Sequence, residues 1–154
     1  MGLNTNRSLP VPLEGRCHCG NLSVHWQTVD YSVVPRACQC GYCRERAAAW
    51  VSKPGTRVRL AVRDTVGYRV VRQGSETARF YECAHCSAVM LVAFDEAGDT
   101  YAALNARYLR NPRGFAAPVE ADYSGQGADE KVPRWRANWC CPAQVPGEES
   151  GVGC

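Results

Sequence analysis

The sequence predicts a mainly β domain with few short helices, and three observations predict it. Apolar and polar residues alternate with a period of two in several stretches, helix signals are sparse, and ten cysteines fall in clusters between the alternating stretches. Leu22, Val24 and Trp26 alternate with Asn21, Ser23 and His25, the pattern of a strand with one buried face. Val58, Leu60 and Val62 alternate with Arg57, Arg59 and Arg63, and Val66, Tyr68 and Val70 follow Asp64, which predicts a strand pair turning near residues 63–66. Phe80 to Glu82 leads into a cysteine pair. The apolar run from Ala88 to Phe94 leaves that pair as a buried strand, and Asp95 to Asp99 is a hairpin-type connection into Tyr101 to Leu104. Arg44 to Trp50 contains good helix formers, and Pro54 limits any helix there to a turn or two. After Pro118 the chain is punctuated by Gly125, Gly127, Pro133, Pro142 and Pro146, which predicts loop, with the last ten residues disordered.

The chain has 154 residues with 45% hydrophobic and 21% charged, enough to bury a core without cross-links and too apolar for wholesale disorder. Residues 11–119 are expected to form one domain, and 120–154 a C-terminal extension. Met1 to Gly15 lacks the apolar stretch of a signal peptide, and the longest apolar run has seven residues where a membrane helix needs about twenty. A cytoplasmic protein with no membrane association is expected. In that compartment ordinary disulfides stay reduced, so ten cysteines point to metal or reactive thiols. Residues 1–114 carry 15 basic and 9 acidic groups, and 115–154 carry 3 and 6. Thiolates around metal would cancel most of the net charge of +3, which weakens the case for a nucleic-acid surface.

Cys17 and Cys19 with Cys83 and Cys86 make a four-ligand set. A closed structural zinc site takes four ligands in a tetrahedron, a C-x-x-C turn points two sulfurs at one ion, and residues i and i+2 of an extended segment share a face. Gly15 and Gly20 allow the bend around the first pair. Reduced thiols, or disulfides from Cys17 to Cys83 and from Cys19 to Cys86, are the alternative. His18 and His85 lie between ligands and are expected to be exposed or to support the sulfurs. Cys38, Cys40 and Cys43 supply three thiols within six residues. Three protein ligands are the hallmark of catalytic zinc, whose fourth position holds water or substrate, and a thiol substrate is the natural match. A redox group is the alternative for these three. Arg36, Arg44 and Arg46 surround them. Cys140 and Cys141 are taken as plain thiols, and Trp135 and Trp139 as packing residues rather than a substrate platform.

Together, Gly15-Arg16-Cys17-His18-Cys19-Gly20, Cys38-Gln39-Cys40-Gly41-Tyr42-Cys43-Arg44 and Cys83-Ala84-His85-Cys86 resemble the glutathione-dependent formaldehyde-activating enzyme family, which shares its domain with centromere protein V. The resemblance covers about residues 13–115. It implies an Mss4-like zinc-stabilised β-sheet fold and two zinc ions per chain, a structural one on Cys17, Cys19, Cys83 and Cys86 and a catalytic-type one on Cys38, Cys40 and Cys43. It also implies a carbon-sulfur lyase activity that forms S-hydroxymethylglutathione from formaldehyde and glutathione. Arg44, Arg46 and Tyr42 are expected to bind the substrate. Gln39 stands where His is expected, Gly41 where Ser is frequent and Ser87 where Gly usually follows the last ligand. The competing expectation is a zinc-stabilised module without catalysis, docking nucleic acid or protein on Arg57, Arg59, Arg63, Arg69 and Arg72.

Overall fold

The computed structural model describes residues 12–28, 30–72, 77–123 and 125–147. The expectations for the first eleven residues, for Cys154 and for most of the last ten lie outside them. Among the described residues the chain is mainly β, as its alternation predicts. The first sheet has the order β10 (Leu109–Arg110), β1 (Leu13–Arg16), β2 (Leu22–Gln27), β5 (Arg57–Val62), β12 (Ala143–Gln144). The second has the order β11 (Val119–Ala121), β3 (Arg36–Cys38), β4 (Trp50–Val51), β9 (Asp99–Asn105), β8 (Val89–Glu96), β7 (Arg79–Cys83), β6 (Tyr68–Val71). Both sheets are mixed, because β12 runs parallel to β5 and β11 parallel to β3.

The period of two decides the layering. Leu22, Val24, Trp26, Val58 and Leu60 of the first sheet pack on Tyr81, Leu91, Ala93, Ala102 and Leu104 of the second. The alternate residues of the second sheet, Phe80, Val92, Phe94 and Ala103, enter another cluster with Trp50, Trp135 and Trp139. The second sheet is therefore covered on both faces, and the apolar run of β8 is buried at six successive positions. The connection from β8 to β9 is a two-residue turn, with Glu96 opposite Asp99 and positive φ at Ala97 (55°) and Gly98 (86°), the backbone that hairpin twist requires.

Three expectations are corrected. The strands at 57–62 and 68–71 both form but do not pair. β5 joins β2 in the first sheet and β6 joins β7 in the second, so Arg57 and Arg59 share no strand-pair face with Arg69. The short helix lies at Gly41–Glu45 (α1) instead of Arg44 to Trp50. Cys40 caps it, accepting from the Cys43 N–H, Ala47 (φ 51°) ends it, and Trp50 is in a strand. The chain after Pro118 is not simply loop. It forms β11, an eleven-residue helix Ala128–Asn138 (α2) and β12, and Val145 is buried. Glu130 Oε1 accepts from the Gly127 N–H (3.4 Å) at the start of α2, and Pro133 inside it is tolerated where buried indoles hold the helix down. No helix among the described residues is long and apolar enough to cross a membrane.

Candidate metal centres and the adjoining cavity

The first cysteine set is built by two turns, one on each sheet. Cys17 and Cys19 lie in the turn between β1 and β2, Cys83 ends β7, and Cys86 lies in the turn into β8. Their four Sγ atoms lie within 4.8 Å of one another, with Cys17 to Cys19 at 3.7 Å and Cys19 to Cys83 at 3.5 Å. A tetrahedron with zinc–sulfur bonds of ~2.3 Å has edges of ~3.8 Å, so the sulfur spacing fits that ion. The backbone supplies donors suited to thiolates, from Leu22 N–H to Cys17 Sγ (3.3 Å) and from His85 N–H to Cys83 Sγ (3.4 Å). Burial pushes the Cys83 thiol up to about 12. At Cys86 burial also opposes ionisation, but N–H groups of Cys19 and Ala88 and the neighbouring thiols outweigh it and bring the group down to about 6.

Local backbone explains why these residue types stand here. Ser87 follows the last cysteine at φ 66°, where glycine would be relaxed, and so adopts the left-handed conformation that its position requires. Gly15 leaves no room for a side chain unless the backbone shifts, because a Cβ there would sit 2.0 Å from the Tyr108 carbonyl oxygen. Asn21 clamps the turn to the 63–67 loop, donating to the Gly67 carbonyl (3.0 Å) and accepting from the Asp64 N–H (2.7 Å). His18 and His85 are exposed and outside the sulfur set. His18 packs edge-on against Tyr108 and His85 faces Asp64 at 3.4 Å.

The second set is local. Cys38 ends β3, Cys40 caps α1 and Cys43 lies in it, and their Sγ atoms also fall within 4.8 Å of one another. Cys43 is buried, while Cys38 and Cys40 are half-buried. The Cys43 thiol bonds to Cys38 and, against the cost of burial, helps bring Cys38 down to about 5, with the Cys40 N–H and the charge of Lys131 assisting. Cys43 is correspondingly pushed up, first by that bond and then by burial. Gln39 donates to the Ala37 carbonyl (2.9 Å), and a Cβ at Gly41 would meet nothing within 4 Å.

These three cysteines line a cavity of about 500 Å³ between the second sheet and α2. Trp50, Phe80, Val92, Trp135 and Trp139 form its apolar wall, with the two α2 indoles stacked at 4.7 Å. Its cations are Arg36, Lys131 and Arg134. The expected substrate residues Arg44, Arg46 and Tyr42 are not among the lining residues. Arg46 stacks on the Tyr42 ring (3.8 Å), and both bind Glu82, whose carboxylate accepts the Tyr42 hydroxyl. Burial, and then Glu82, raises the Tyr42 phenol well above its usual range, which unsuits it to proton transfer at the sulfurs. Sequence reading missed Lys131 and Arg134, and took Trp135 and Trp139 as packing alone. The spacing of the two tryptophans by four, one helical turn, was the available signal. Cys140 is a free, fully buried thiol outside both sets, and Cys141 is disulfide-bonded rather than a plain thiol.

The family model described as glutathione-dependent formaldehyde-activating enzyme matches residues 12–125. The chain belongs to that family. Both cysteine sets lie inside the matched span, whereas α2, with its two tryptophans and two cavity cations, lies beyond it. A solved structure of a Rhodobacter sphaeroides protein is similar in fold, at 21% identity and a TM-score of 0.55 over 70% of this chain and 99% of the other. A search of curated proteins found no match. Within this formaldehyde-activating family, the general function concerns glutathione and aldehyde chemistry, and this member has two cysteine groups placed to hold metal ions.

Proposed function

We propose that the chain is a zinc-dependent enzyme of the carbon-sulfur lyase type, joining a thiol such as glutathione to formaldehyde or a related aldehyde. The observation that carries this reading is the three-thiol set opening onto a cavity, in contrast to the four-thiol set closed between turns. A zinc ion held by Cys38, Cys40 and Cys43 would supply a Lewis-acid position that favours the thiolate form of a bound thiol. The residues of the chain do the rest. Arg36, Lys131 and Arg134 favour an anion in the cavity, and the indoles and Phe80 exclude water from it. The substrate sulfur then bonds to the aldehyde carbon, the π pair of the carbonyl moves to its oxygen, and the proton released by the thiol ends on the new hydroxyl. No oxidant or reductant is needed.

Cys40→Ser tests this directly. Metal analysis should fall from two equivalents of zinc to one, and thiol-dependent loss of formaldehyde should disappear while the circular dichroism spectrum stays the same. Undiminished turnover in a correctly folded variant would end the proposal.

A further inference from the structure

The cavity beside Cys38, Cys40 and Cys43 is far larger than formaldehyde, with its two heavy atoms, requires. About 500 Å³ is the size of a site for a substantial organic ligand. Its lining is unusual in charge. Arg36, Lys131 and Arg134 face it, and among the described residues no aspartate or glutamate does. Nor are these cations used up elsewhere among the described residues. Arg36 donates to Ser52 Oγ (3.3 Å), Arg134 donates to Gln126 and stacks on the Tyr123 ring (3.5 Å), and Lys131 has no side-chain hydrogen bond or ion pair. Burial, and then the nearby charge of Arg36, holds the Arg134 guanidinium below its usual range. Three cations around a cavity whose described acidic groups are the cysteine thiols alone leave room for a further anion, supplied by a ligand. Beyond the cysteines, Gln39 and Tyr123 the described lining is aromatic and aliphatic, offering few groups for the amides of a peptide and no described carboxylate for an ammonium group.

Resting on the thiol-addition reading for its chemistry, the inference concerns what else the substrate carries. We propose that Arg36, Lys131 and Arg134 bind a carboxylate and that Trp50, Trp135 and Trp139 receive an apolar, ring-sized body, so that the cavity selects an apolar mercapto acid over a zwitterionic peptide thiol. Two of the cations and two of the indoles come from α2, outside the span shared with the family, so this selectivity belongs to this chain.

Three cavity indoles make tryptophan fluorescence of the full-length protein a report on occupancy. 3-Phenylpropanoate, which lacks the thiol, should quench it saturably and bind at least about tenfold more tightly than uncharged 3-phenylpropanamide. Lys131→Gln and Arg134→Gln should each weaken the acid by roughly fivefold to tenfold and leave the amide unchanged. Lys131→Gln breaks no described hydrogen bond and so guards against misfolding of the arginine variant. Equal binding of acid and amide would overturn the proposal. So would a preference for the acid that survives in the double variant, since the cations would then serve the cysteines alone. In turnover with formaldehyde, 2-mercapto-3-phenylpropanoate should exceed glutathione in kcat/KM by about tenfold or more; glutathione as the better substrate would overturn the proposed selectivity and leave the thiol-addition reading standing. Binding of phenylpropanoate without turnover of any thiol would remove that reading and support the carboxylate pocket.

Discussion

Glu82 is 3% exposed on β7, next in sequence to Cys83 of the four-cysteine set, and a carboxylate so far out of water must be compensated where it stands. Arg69 Nε at 2.9 Å, Arg46 Nε at 3.4 Å and the Tyr42 hydroxyl compensate it. The consequence is a link between the two cysteine sets, because Tyr42 adjoins Cys43 as Glu82 adjoins Cys83. Glu82→Gln keeps the shape and removes the charge. Both guanidiniums remain partly in water, so the expected loss is about 1–2 kcal/mol in urea denaturation, with the zinc content of the four-cysteine set retained. An unchanged unfolding midpoint would show that the acid only decorates the strand. The same residues show a limit of sequence reading. Tyr42 and Arg46, four apart, share one face of α1, and Cys43 points about 100° away from Tyr42, so closeness in sequence to a reactive thiol did not place them in its cavity.

The turn that presents Cys17 and Cys19 depends on how closely β1 and β10 approach. Gly15 lies opposite Leu109, and a methyl group there would strike main-chain atoms of Tyr108 and Leu109, which cannot swing aside as a side chain can. Gly15→Ala should therefore cost about 1–3 kcal/mol by chemical denaturation, and should slow metal uptake by the four-cysteine set when the apoprotein is titrated with zinc. Stability equal to that of the natural chain would mean that the edge strand yields without cost. At this scale the strands were largely legible, since β2, β5, β8 and β9 all follow from alternation or an apolar run. Their partners were legible only for the β8–β9 hairpin. Period two tells which face of a strand is buried but not which strand lies beside it, so β5 and β6 looked like a hairpin although they belong to different sheets. α2 was hidden for another reason. Pro133 reads locally as a breaker, and what offsets it is tertiary: Trp135 and Trp139 stack on each other and meet Phe94 at 5.2 Å tilted and 5.7 Å edge-on.

Across the whole molecule, the four-cysteine set brings a turn of the first sheet to a turn of the second, so metal bonds there would act as a cross-link between layers. Metal binding to such a set is coupled directly to folding. Stripping zinc with a chelator is expected to lower the thermal midpoint by about 10–20 °C, and zinc should restore it. Loss of the second ion alone, in Cys40→Ser, should move the midpoint far less, because its three sulfurs come from one short segment and tie no two layers together. A midpoint indifferent to verified removal of both ions would contradict a structural role for the first site. The grouping of the seven cysteines into these two sets was readable from spacing: 64 residues separate Cys19 from Cys83, and five separate Cys38 from Cys43.

That difference in spacing also sets an order of birth. As the chain is synthesised, Cys17 and Cys19 leave the ribosome first but remain a bare pair until Cys86 follows, whereas Cys38, Cys40 and Cys43 are complete within six residues of emerging. The nascent polypeptide thus completes its three-thiol set well before its four-thiol set can close, so an ion captured during synthesis would meet the local set first.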